Sequence, residues 1–453
     1  MVRLSKNTLG MLIAKYRAVL LRMLRKEIVV LAAAADLLLA APAPALAAEY
    51  HVGAGQAYAT LEALRTDSSV SFQNGDKIIL HNNSDASLNA PFSLPPGLEV
   101  TLEGAGGAVL SPAASSEAGA FTLAGGGLTL APGIILDGFA NTVAGETGRG
   151  GAVSLPGGGT LTARDAVFSN NTAEFTGGAI YALVQAGENG AVNVAGSRFE
   201  GNRASGTMPD GSTPAGWGGA ILIKGAGLLT ADGSVFAGNY ARRNGGALTL
   251  ENGAAGQAAA ARFLDNRADG WGGAVNLYQS GLFTADRSVF SGNSALWGGA
   301  VNVDTNSVFT ANEAFFSGNS ADNGGGALKV YWAEATADRA VFSGNQALDT
   351  YNDGNGYGGA VHIYDGTFSA DGAVFTGNTA NSCGGAIHAD DSSITLKNTI
   401  FSGNSATYGG GAVDLYDSNL RCENVSFINN TAGFGGAISA YGARITLYTD
   451  SGA

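Results

Sequence analysis

His388 and Asp390 stand two residues apart in "GAIHADDSS", and Asp414 and Tyr416 repeat that spacing 26 residues later in "GAVDLYDSN". In an extended strand, residues two apart share a face. If consecutive segments stack, an imidazole, two carboxylates and a phenol converge. Such a set suits proton transfer, and a carboxylate pair is what glycoside hydrolysis uses, one as acid and one as base or nucleophile. Against that chemistry, the residues fall on an open strand face, where little desolvation raises a carboxyl pKa. No basic cluster lies beside them in the sequence to hold a uronate. The sequence is therefore read as that of a non-enzyme, with no catalytic residue, no metal site and no cofactor assigned. A polysaccharide-degrading glycoside hydrolase or lyase is one alternative, and a purely structural cell-surface spacer is another.

The segments that position these residues repeat. Phe-x-x-Asn begins at Phe168, Phe199, Phe236, Phe263, Phe290, Phe316, Phe342, Phe375, Phe401 and Phe427. Each copy is followed by Gly-Gly-Ala and then Ile, Leu or Val. The Phe-to-Phe steps are 31, 37, 27, 27, 26, 26, 33, 26 and 26 residues, a base period of 26–27 with inserted loops in three steps. Repetition at this period is the mark of a solenoid. Within "GGAVNVDTNSVFTANEAFFSGNSA" apolar and polar residues alternate as in strands, and no helical period appears. Three short strands and three turns per period predict one coil of an all-β parallel β-helix. Ten complete coils at about 4.8 Å each extend about 48 Å.

Stacking assigns the repeated residues structural work. Phe290, Phe316 and Phe401 belong to an interior aromatic stack. Asn293, Asn319 and Asn404 belong to a ladder whose amides satisfy backbone groups of neighbouring coils. Gly-Gly allows a tight corner with positive φ, and the Ala after it allows close packing. Function is then sought where the ladders vary. After each Gly-Gly-Ala, a first outward row reads Thr249, Asn276, Asn302, Lys329, His362, His388, Asp414 and Ser439. A second reads Glu251, Tyr278, Asp304, Tyr331, Tyr364, Asp390, Tyr416 and Tyr441. Of the second row, Tyr278, Asp304, Tyr331, Tyr364, Asp390, Tyr416 and Tyr441 form a candidate binding strip, since tyrosine offers rigid apolar area with a hydroxyl. Exposed strands favour tyrosine in any case.

Phe-x-x-Asn paired with Gly-Gly-Ala-[Ile/Leu/Val], ten times over residues 150–440, strongly resembles the repeats of chlamydial polymorphic outer membrane proteins and related autotransporter passengers. The resemblance implies a right-handed β-helix displayed at the cell surface and used in adhesion, with a host or neighbouring-cell protein or glycan as partner. Those proteins usually end in a translocating β-barrel. No such segment is read before Ala453, so a truncated passenger is expected, with outer-membrane association only through a missing barrel. Residues 48–149 are similar to the opening of pectin-lyase-like β-helices, where a short helix caps the apolar end. The repeat β-helix is assigned to residues 150–453.

Composition agrees with export. The 453 residues include 70 glycines and only 13% charged residues. A basic start, an apolar run and Ala45-Leu46-Ala47 read as a signal peptide over residues 1–47. Its removal takes away seven basic and two acidic residues, leaving 17 basic against 35 acidic, a net charge of −18. That charge argues against nucleic acid as a partner. Cys383 and Cys422 sit at different phases of the period, eight and twenty-one residues after their phenylalanines, which disfavours a disulfide. Trp217, Trp271 and Trp297 each precede Gly-Gly, and Trp271 and Trp297, one period apart, are expected to stack at a corner. The acidic loop Asp349–Gly356 lacks the EF-hand pattern and reads as turns.

Overall fold

A computed structural model describes residues 47–448, apart from 83, 105–106, 114–116, 144–147, 208–214 and 351–353. The signal peptide expected over residues 1–47 lies outside the described residues except for Ala47. Parts of the inserted loops at 207–217 and 349–356 do so too.

The alternation in each repeat becomes a coil of a right-handed parallel β-helix. Each full coil contributes four strands, one more than expected. In one coil they are Val301–Asp304, Val308–Thr310, Phe315–Ser317 and Ser320–Gly324. Stacked on their equivalents, they form sheets 1 to 4, of 13, 15, 13 and 10 strands. Every ladder is parallel and joins residues one coil apart, such as Phe290 to Phe316 and Val301 to Leu328. The fourth strand spans only two residues in coils such as Ser405–Ala406. Two residues carry no readable alternation, so only stacking reveals it. Glu49–Val52 and Asp76–Leu80 begin sheet 2, and Leu61–Thr66 is the one helix among the described residues. Thr60 Oγ1 caps that helix by accepting from Ala63 N at 3.0 Å, and Leu61 and Leu64 turn into the core.

The period places like on like inside the coil. Phe290 and Phe316 stack with centroids 4.8 Å apart and rings 3° from parallel, and Phe401 stacks on Phe427 at 5.1 Å. Phe309, on sheet 2, meets Phe290 edge-to-face at 6.3 Å and 80°. At the turn into sheet 4, Asn293 Nδ2 donates to Phe263 O at 3.0 Å and to Asn319 Oδ1 at 2.9 Å. That same Asn319 oxygen accepts from Asn293 N at 3.0 Å. Asn404 repeats the pattern with Phe375 O and Asn430 Oδ1. Each amide therefore closes hydrogen bonds on both neighbouring coils, which is how a fully buried polar row avoids a desolvation cost.

Gly-Gly before sheet 1 has two distinct requirements. Gly298 adopts φ +62°, in the left-handed region. A Cβ on Gly299 would lie 2.1 Å from Gly326 O and 2.4 Å from Ser320 O, so only hydrogen fits there. The corner is thus pressed against the next coil. The segment just before it, at the end of sheet 4, stands beside sheet 1 instead of turning away.

Candidate functional site

This corner changes the outer face of sheet 1. The first row was expected to be solvent-facing, but Thr249, Asn276, Asn302, His362, His388 and Asp414 are all buried. They do project away from the core. The residues preceding Gly-Gly cover them: the Trp297 ring lies 3.5 Å from Lys329 Nζ and 5.7 Å from the His362 ring. Tyr357 stacks on His388 at 4.5 Å. Trp217, Asn244, Trp271 and Trp297 form backbone bridges coil to coil, and the residues before Gly-Gly so make a wall along sheet 1.

Between that wall and sheet 1 runs a groove of about 580 Å³, lined by aromatic residues including Trp217, Trp271, Tyr278 and Tyr331 and by the cations Arg149, Lys224 and Arg243. Lys224 pairs with Glu251 at 2.8 Å, and Arg243 lies 5.0 Å over the Trp217 ring. The strip residues Tyr278 and Asp304 line it as well, and the Tyr331 ring stacks on Tyr364 at 5.3 Å. Tyr416 and Tyr441 stack on each other at 5.1 Å and are exposed. The cations were invisible as a cluster in the sequence because each comes from a different repeat.

Two coils beyond Tyr331 the second row reaches Asp390, and there the first row reads Lys329, His362, His388, Asp414 on successive coils. His388 Nδ1 contacts Asp414 Oδ2 at 2.9 Å, and its Nε2 contacts Asp390 Oδ2 at 3.1 Å. His362 Nε2 lies 3.7 Å from the same Asp390 oxygen, too far for a hydrogen bond, and neither of its ring nitrogens has a partner. His362 and His388 are each 5% exposed, whereas the Asp390 side chain is 23% exposed and forms the opening. Of the four residues singled out for chemistry in the sequence, His388, Asp390 and Asp414 converge. Tyr416 is the register neighbour of Asp390 and points to solvent. His362 was passed over as chemistry, although its spacing of 26 from His388 already placed one ring on the other.

Electrostatics divide the two histidines. Burial pulls His362 down to about 4, against the opposing pull of Asp390. Burial also opposes charge on His388, but hydrogen bonds to Asp390 and Asp414 hold it above the ordinary imidazole value. Burial alone would raise Asp390, yet contact with His362 and His388 keeps its carboxyl well below the usual range. Beside them, burial brings Lys329 down to about 8, with Asp304 opposing, and raises Asp304. Neither cysteine is in a disulfide, and burial pushes Cys422 up to about 11.

The expectation of a non-enzymatic chain is corrected by this cluster. It rested on an open, solvated face and on no nearby cation. The structure instead buries two imidazoles against two carboxylates and places Lys329 on the coil next to His362. Desolvation of this kind is what sets protonation states apart at reactive centres.

A family model for the Chlamydia polymorphic membrane protein (Chlamydia_PMP) repeat matches residues 165–183, 372–390, 398–414 and 424–441. No curated protein matches the sequence closely. Similar solved structures include the catalytic domain of a GH87 alpha-1,3-glucanase variant in complex with nigerose. It has a TM-score of 0.40 and 11% identity over 91% of this chain and 69% of that one. Another is the Azotobacter vinelandii mannuronan C-5 epimerase AlgE6 A-module, with a TM-score of 0.35 and 13% identity over 82% of this chain and 91% of that one.

Proposed function

We propose that this chain, a β-helix built of repeats of the Chlamydia polymorphic membrane protein type, is an exported enzyme that cleaves glycosidic bonds in an acidic polysaccharide. The observation that carries this reading is one of placement. A groove lined by aromatic residues, three cations and the acids Glu251 and Asp304 runs along sheet 1 and ends at Tyr331 and Trp332, two coils before Asp390, the most exposed member of a buried His–Asp cluster. Aromatic faces suit sugar rings, and the cations suit carboxylates on the chain. Asp390 then exchanges a proton with the sugar, and His388, fixed by Asp414, stands behind it as the reservoir.

The test is a panel of acidic and neutral polysaccharides, scored for new reducing ends and for unsaturated uronate ends. Cleavage of an acidic member, lost in His388→Gln with melting unchanged, supports the proposal. Unsaturated ends would identify elimination, and saturated ends hydrolysis. No cleavage across the panel would overturn it.

A second reading has its own observation. Tyr364, Tyr416 and Tyr441 are exposed at successive positions of the second row, apart from Asp390. They offer a contact strip for adhesion to a cell-surface protein or glycan. Replacing Tyr331, Tyr364 and Tyr416 with Ser should weaken attachment to cells while the chain stays folded. Unchanged attachment removes this reading.

A further inference from the structure

We propose that His362 Nε2, His388 Nε2 and Asp390 Oδ2 bind a divalent transition-metal ion such as Zn²⁺ or Co²⁺. The three residues offer ligand atoms that all lie within 4.8 Å of one another. Four-coordinate zinc holds nitrogen and oxygen at about 2.0–2.1 Å, so the edge of its tetrahedron is about 3.3 Å. The distances from Asp390 Oδ2 to the two imidazoles, 3.1 and 3.7 Å, bracket that edge.

The hydrogen-bond inventory points to the same place. His362 is 5% exposed, and both of its ring nitrogens are without a hydrogen-bond partner. A buried imidazole so arranged forfeits its hydration for no return. A metal at Nε2 supplies the missing partner. With Nδ1–H of His388 donated to Asp414 at 2.9 Å, the Nε2 of a neutral ring turns its lone pair toward the Asp390 oxygen. A metal ion there takes the place of the proton that otherwise bridges the two atoms at 3.1 Å. The Asp414–His388 contact is also the carboxylate–imidazole arrangement that orients metal-bound histidines.

Two nitrogens and one oxygen favour Zn²⁺, Co²⁺ or Ni²⁺ over Ca²⁺ or Mg²⁺, which prefer all-oxygen shells. Three protein ligands leave a fourth position open, on the side where the Asp390 side chain is 23% exposed. The ion takes the same lone pairs through which Asp390 and His388 would pass a proton. Metal loading therefore silences the cleavage proposed above. This consequence rests on that reading, whereas the binding itself does not.

The experiment titrates cobalt chloride into the full chain after chelator treatment, reading visible d–d absorption and melting temperature. The expected result is one saturable equivalent with four-coordinate bands and a raised melting temperature. His362→Ala should weaken binding at least tenfold, and magnesium should do nothing. If His362→Ala does not fold by circular dichroism, His362→Gln carries the same comparison. Absence of the bands at excess cobalt, or bands unchanged in the His362 variant, overturns the site. Cleavage is assayed in parallel with chelator and with cobalt. A chain that binds cobalt but cleaves nothing upholds the metal and sinks the enzyme reading. A chain that cleaves in chelator without ever showing the bands does the reverse.

Discussion

At the scale of single residues, the same side chain serves differently according to whether its coil neighbours repeat it. Asn319 sits in an unbroken row, donating to Phe290 O and Asn345 Oδ1 at 2.9 Å and accepting from Asn293. Asn319→Ala takes a buried bond from Phe290 O and from Asn293 N, while Asn345 Oδ1 keeps the backbone N–H of residue 319. The expected loss is about 2–4 kcal/mol, at about 1–3 kcal/mol per orphaned group, measured by denaturant unfolding. Lys329 breaks its row, between Asn302 and His362. Burial brings its ammonium down to about 8. The charge is present below that pH and lost above it. Binding of an acidic polysaccharide should therefore weaken as pH rises through about 8. Lys329→Met should bind weakly throughout and lose the dependence, as calorimetry at pH values on either side would show.

At the scale of the strand and corner, glycines of one composition separate into two kinds. Gly318 has φ +61° and nothing within 4 Å of a Cβ, whereas Gly299 has the carbonyl of Gly326 at 2.1 Å. Gly318→Ala should cost only the backbone strain of a left-handed residue, about 1–2 kcal/mol. Gly299→Ala must push two coils apart, and should cost several-fold more in the same melting series. Equal losses would mean that the corner is not pressed against its neighbour. Much of this element was legible in the sequence. Phe-x-x-Asn fixed the phase of the coil, and the alternation after Gly-Gly-Ala fixed which residues leave the core. What was not legible was the cover. Trp297 and Tyr357 are far from Lys329 and His388 along the chain, and they reach them only because the corner holds sheet 4 against sheet 1. Alternation distinguishes inward from outward and is silent on whether outward means solvent.

At the scale of the whole molecule, the coil stack turns a sequence period into an array. Residues one period apart become neighbours about 4.8 Å apart. Arg149, Lys224 and Arg243, distant in sequence, therefore share one groove. The same rule joins His362, His388 and Asp414 into one cluster, which is why its members could be named from spacing while its burial could not. The claim that depends on all three scales is that a sugar chain lying along sheet 1 arrives at Asp390. The most direct measurement is a crystal structure of the Asp390→Asn variant soaked with an acidic oligosaccharide. The account predicts sugar density between the Trp217–Trp297 wall and sheet 1, with a ring oxygen or hydroxyl within about 3 Å of the substituted side chain. Density on another sheet, or a groove occupied by sugar that stops short of that side chain, would contradict it.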